Sequence, residues 1–85
     1  MNEYEWNTTI QRRQVITKYM ADREEPVSTN EMKEALAISH QDMKRDIRIL
    51  HGGGYVKPMG KRIIKGKERY FWTTVKPYWP NATKR

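Results

Sequence analysis

Between Ser39 and His51 the chain spaces Gln41, Lys44, Arg45 and Arg48 so that a helix there would carry one amide and three cations on a single side. At 100° per residue, with Met43 pointing inward, Ile47 and Leu50 fall within about 40° of it, and the four polar side chains cluster on the opposite face. The chemistry such a face supports is recognition of a polyanion. An arginine fork can donate two hydrogen bonds to guanine O6 and N7, and a glutamine amide can pair in the same way with adenine. Gln41 and Arg45 are placed for base edges, while Lys44 and Arg48 sit lower on the face and suit phosphates. Ser39, Thr29 and the backbone N–H groups at helix starts suit phosphates as well, and His40 is either a phosphate donor or a solvated helix-start residue. A second group of cations, Lys61, Arg62, Lys65, Lys67 and Arg69, gathers around Gly66 and would add attraction that does not depend on base sequence.

Position sharpens the charge argument. The chain of 85 residues has a formal net charge of +7. From Met1 to Ile38 there are five Lys or Arg against seven Asp or Glu, whereas from Ser39 to Arg85 there are twelve against three. All of the positive excess therefore lies in the half that holds both cation groups, which points to a polyanionic partner without choosing DNA, RNA or an acidic membrane. The length suits one small domain, with a folded core over about 8–76 and a tail over 77–85.

Capping residues, glycines and prolines locate the elements that must hold these groups. Thr8-Thr9-Ile10-Gln11 reads as a capping box opening a helix over about Thr9–Arg23, with Val15, Ile16, Tyr19 and Met20 inward and Arg12, Arg13, Lys18 and Arg23 outside. Pro26 prevents continuation, and Ser28-Thr29-Asn30-Glu31 is a second box opening a short helix over about Thr29–Ala37, with Met32, Ala35 and Leu36 inward. Ser39 caps a third helix, favoured by Asp42 in its first turn and ended near His51 by Gly52-Gly53-Gly54. Strand character follows at Tyr55-Val56-Lys57 and, more strongly, over Glu68–Val75, with a turn expected at Gly66-Lys67 that crowds the five cations at one hairpin tip. Met20, Tyr55, Tyr70 and Trp72 read as core, and Ile49 lies toward the exposed side of the third helix. The segment from Lys76 holds two prolines and should leave the sheet, with frayed last residues.

The order helix, short helix, tight turn, helix, glycine turn and hairpin resembles the winged helix-turn-helix superfamily of DNA-binding domains. The resemblance covers about Thr9 to Val75 and rests on Val27-Ser28-Thr29-Asn30-Glu31, Ile47-Arg48-Ile49-Leu50, Gly54-Tyr55-Val56 and Tyr70-Phe71-Trp72-Thr73. It implies an α+β fold of three helices with a C-terminal β-hairpin wing. It also implies double-stranded DNA as partner, with the third helix in the major groove and the wing on the phosphate backbone or minor groove, and a role in transcriptional regulation. Members that recognise left-handed Z-form nucleic acid typically carry an Asn and a Tyr on that helix. Lys44 and Arg48 occupy the aligned positions here and disfavour that subgroup.

Other classes fit less well. With no cysteine and two histidines, no metal-ligand set is expected, and neither is a cofactor, a small-molecule ligand or catalysis. No apolar run reaches the length of a membrane span and the start lacks a secretory pattern, so a cytoplasmic, nucleoid-associated protein is expected. The same scaffold can also serve as a protein-interaction module or bind structured RNA. Homodimerisation through the face of helix 1, the Tyr4 and Trp6 segment or the Tyr78 and Trp79 tail would extend a small DNA footprint.

Overall fold

The computed structural model describes residues 4–79, and each helix in it opens on a hydroxyl. Thr8 accepts from the Gln11 N–H at the start of α1 (Thr9–Ala21), Ser28 from that of Glu31 at α2 (Thr29–Leu36), and Ser39 from that of Asp42 at α3 (His40–Gly52), at 3.1, 3.0 and 3.2 Å. Each bond satisfies a backbone donor that the first helical turn cannot pair internally. The first helix stops two residues short of Arg23, capped by Asp22, whose N–H reaches the Lys18 carbonyl. Helix α3 continues through Gly52, and the left-handed turn falls on Gly54 at φ +80°, which lets the Tyr55 N–H return to the Leu50 carbonyl.

Between α2 and α3 the chain turns on Ala37, Ile38 and Ser39, with Ala37 held left-handed at φ 55° so that Ile38 N–H reaches the Lys33 carbonyl at 3.0 Å. A side chain in that region costs about 1–2 kcal/mol, and Ala37 is exposed and lies outside the core cluster. Ala37→Gly is therefore expected to stabilise the domain by about 0.5–1 kcal/mol, after the added freedom of the unfolded chain is subtracted. The check is a urea midpoint that rises while the slope of the transition stays unchanged.

Strands β1 (Val27–Ser28), β2 (Val56–Ile64) and β3 (Lys67–Thr74) form one antiparallel sheet in the order β1-β3-β2. Val27 lies opposite Trp72 and Ser28 opposite Phe71, so the two residues that precede α2 also stitch it to the hairpin. β2 is much longer than Tyr55-Val56-Lys57 because it runs through Pro58 and Gly60 at a bulge: Pro58 pairs with Trp72 and Lys61 with Tyr70, leaving Met59 and Gly60 against Phe71 alone. The hairpin turn is Lys65-Gly66, one residue earlier than expected, since Ile64 pairs with Lys67. Both turn residues have positive φ, 53° and 80°, the arrangement whose twist matches the flanking strands, and Gly66 makes its second position strain-free.

The core joins Val15, Ile16, Tyr19 and Met20 of α1, Met32 and Leu36 of α2, and Met43, Ile47 and Leu50 of α3 with Val27, Ile38 and Val56. Several expectations are corrected. Ala35 is exposed, because the buried stripe of α2 is only Met32 and Leu36 wide. Tyr70 is 52% exposed, since it lines an open groove between α3 and β3, whereas Trp72, two residues nearer the base, packs against the core and touches the His51 ring. Arg12 is not outside but 6% exposed. The proline-containing segment does leave the sheet, yet Tyr78 folds back into the core beside Tyr55 and its N–H donates to Thr17. The expected fraying of the last residues lies outside the described residues.

Candidate nucleic-acid interface

What aims α3 is a carboxylate on its buried flank. Asp46 is fully buried and accepts from Arg12 Nε and, at 2.9 Å each, from Arg12 Nη2 and Arg13 Nε, both on α1. Arg12 Nη1 also lies 3.3 Å from Asp42 on the preceding turn of α3. The hydrogen bonds that Arg12 donates to Asp46 hold its guanidinium pKa above the ordinary range against the opposing effect of burial. For Arg13 burial is the largest influence and acts downward, but the bonds to Asp46 and to the Tyr78 hydroxyl outweigh it. Both arginines also lie over aromatic rings, Arg12 over Trp6 and Arg13 over Tyr78, at 5.6 and 5.9 Å from the ring centroids. The helical wheel could have flagged Asp46, which falls only about 60° from Met43, on the inward side where an unpaired charge is not tolerated.

With that flank fixed, the opposite face of α3 is presented to solvent. Gln41, Lys44, Arg45 and Arg48 are all exposed, as expected. The Arg45 side chain is 63% exposed and its one ion pair among the described residues, with Asp42, is long at 3.9 Å, so the guanidinium is available to an outside acceptor. Among the described residues no ion pair engages Lys44 or Arg48. His40 is exposed at the helix start with the Lys33 ammonium 3.5 Å from its Nδ1. Ser39 and Thr29 hold structure as well: the first accepts as a cap, and the second donates to the Tyr70 carbonyl at 3.3 Å, tying α2 to β3.

The hairpin cations do not form one cluster. The register places Lys61, Ile63, Glu68 and Tyr70 on the face toward α3, and Arg62, Ile64, Lys67 and Arg69 on the other. Lys61 is held by Glu68 at 3.2 Å, a hydrogen bond that raises its ammonium above the usual lysine range. Arg62 stacks on Phe71 with its guanidinium carbon 4.5 Å from the ring centroid, and Arg69 is half-buried. Lys65 and Lys67, at the turn, are exposed and have no ion pair among the described residues.

Between α3 and β3 lies an open groove of about 410 Å³, floored by Met43, Ile47 and Trp72 and rimmed by Lys33, Lys44 and Arg69. Its edge brings Lys33 of α2 and Lys44 of α3, far apart in sequence, beside Glu68 and Arg69 of β3, so it connects the two expected contact regions into one surface. The aromatic residues expected to pair two copies are largely occupied within the chain. Tyr4 packs edge-on to Tyr19, Trp6 is half-buried against the core and Tyr78 is buried, leaving Trp79 exposed. Among the described residues no helix is long and apolar enough to cross a membrane, and no group of three acidic, His or Cys side chains could hold a metal ion.

No family model matches the sequence, and no curated protein matches it either.

Proposed function

We propose that this chain is a winged helix-turn-helix domain that binds double-stranded DNA, with α3 in the major groove and the β2–β3 hairpin as a wing on the adjacent backbone or minor groove, and that it acts in transcriptional regulation. The observation that carries the reading is the division of α3. Met43, Ile47 and Leu50 are buried on one side, and Gln41, Lys44, Arg45 and Arg48 stand exposed on the other, beside a cationic groove that leads to the hairpin. With side chains a helix is about 10–12 Å across, a width that the major groove, about 12 Å wide, admits, and the 13 residues of α3 run roughly 20 Å along it. In this arrangement Arg45 and Gln41 read bases, while Lys44, Arg48, His40 and the tip lysines meet phosphates.

The test is selection from a random duplex pool at about 50 and 200 mM salt, with duplex RNA as competitor. The wild type is expected to enrich a motif that RNA does not displace. Lys65→Ala combined with Lys67→Ala should weaken all sequences alike and reduce the slope of log affinity against log salt by about 2. Binding no tighter than that of an unrelated polypeptide of equal charge, or equal competition by RNA, would overturn the reading.

A further inference from the structure

Ile63 is 70% exposed, the most exposed of the large apolar side chains among the described residues, and it stands two positions from the hairpin turn on the face toward α3. We propose that Ile63 is a wedge that enters a base step of duplex DNA from the minor groove and kinks it, an inference that rests on the duplex reading above.

The surroundings of Ile63 decide what would cover it. Its cross-strand neighbour is Glu68, and Arg62, Lys65 and Lys67 lie within the same tip. Of its exposed apolar neighbours Tyr70 shares its face and Ile64 lies on the other, and Lys61 and Glu68 interrupt the shared face, so the surface does not form the packed apolar centre that a protein partner or a second copy requires. The Glu68 carboxylate does not repel a polyanion in the usual way, because Lys61 at 3.2 Å and the Tyr70 hydroxyl at 3.3 Å already engage it. What the tip offers is a protruding apolar side chain on one face, with Arg62 and Lys67 on the other and Lys65 at the turn, the combination that minor-groove wedges present to an unstacked step between two phosphate backbones.

Geometry points the same way. All of β2 beyond Val56 is exposed, and although Glu68, Arg69 and Tyr70 line the groove beside α3 and Ile64 and Lys65 line a hollow beside α2, Ile63 lines neither. The minor groove of B-form DNA is only about 6 Å wide, too narrow for a two-stranded ribbon with its side chains. Entry of the tip therefore requires the groove to open, and unstacking a base step opens it while leaving apolar base surface for Ile63 to cover. Strand propensity alone does not account for the residue, since threonine would meet it without exposing an apolar group.

The experiment uses a short duplex carrying the selected site, labelled at both ends for energy transfer, with affinity followed by anisotropy. Wild type at saturation is expected to raise the transfer efficiency, and to favour a TA step over a stiff A-tract beneath the wing by about tenfold. Ile63→Thr, which keeps the branched strand residue, should saturate the duplex with no rise in transfer and lose the TA preference. Ile64→Thr, on the opposite face, should behave as wild type. Thermal melting establishes that the variants are folded, and the TA comparison tests the wedge on unaltered protein. Saturation by wild type without a rise in transfer, indifference to the TA step, or an unchanged rise with folded Ile63→Thr would overturn the wedge while leaving duplex binding intact. Absence of duplex binding above a generic basic control would instead remove the underlying reading, and the wedge with it.

Discussion

Asp46→Ala is expected to remove a large share of the domain's stability. Its carboxylate is fully buried and two arginines of α1 depend on it, one of them almost as deeply buried. Removing one member of a buried ion pair costs about 3–5 kcal/mol, because the remaining charge is left desolvated without compensation. A domain of this size holds in total only about 5–10 kcal/mol. The measurement is the urea midpoint, with a second variant to separate the charge from the packing. Arg12→Met combined with Asp46→Leu, which replaces the central pair by apolar groups of similar bulk, should recover a large part of the loss. An Asp46→Ala midpoint equal to wild type would mean that the apolar stripe alone holds α3 against α1.

Arg45→Ala is expected to weaken binding to the selected duplex by about 10- to 100-fold and to blur the motif at one position, with the melting temperature unchanged. The magnitude follows from a two-pronged arginine contact with guanine, which supplies about 1–3 kcal/mol of discrimination against the wrong base. The exposure of the side chain and the length of its pair with Asp42 mean that little intramolecular bonding is lost in the variant. Arg45→Lys separates charge from geometry: it keeps the cation but lacks the planar fork, and should recover overall affinity without recovering the preference. If Arg45→Ala lowers affinity for all duplexes equally, the residue meets a phosphate, and base reading passes to Gln41 or Lys44.

The parts of this architecture legible in sequence were those determined within a few residues. Thr8, Ser28 and Ser39 were identifiable as caps because a cap and its recipient lie three positions apart. The exposed face of α3 was legible because helical periodicity alone sorts Met43, Ile47 and Leu50 from Lys44, Arg45 and Arg48. Distant pairing hid the rest. Arg12 and Asp46 meet across 34 positions, so a wheel drawn on α1 alone assigns the arginine to solvent. Val27-Ser28 becomes a strand only because Trp72 and Phe71 arrive beside it. For β2, strand character in the sequence is plain only at Tyr55-Val56-Lys57, but a bulge against Phe71 absorbs Met59 and Gly60 and pairing continues to Ile64. Tyr70 and Trp72 share a face and a residue type suited to burial, and only the contact of Trp72 with the core distinguishes them.

The strand order has a bearing on how this chain behaves when crowded. With β3 central, β2 is a nine-residue outer strand whose far side could in principle accept a strand from another molecule. Pro58 removes a donor along it, the bulge breaks its straightness, and Lys57, Lys61, Arg62 and Lys65 repel an identical strand approaching alongside. The opposite edge, β1, is two residues long and offers little to template on. The charges that favour a polyanion thus also guard the sheet against fibrous self-association. Neutralising Lys61 and Arg62 together would expose that hazard first as concentration-dependent turbidity, before any loss of native structure in dilute solution.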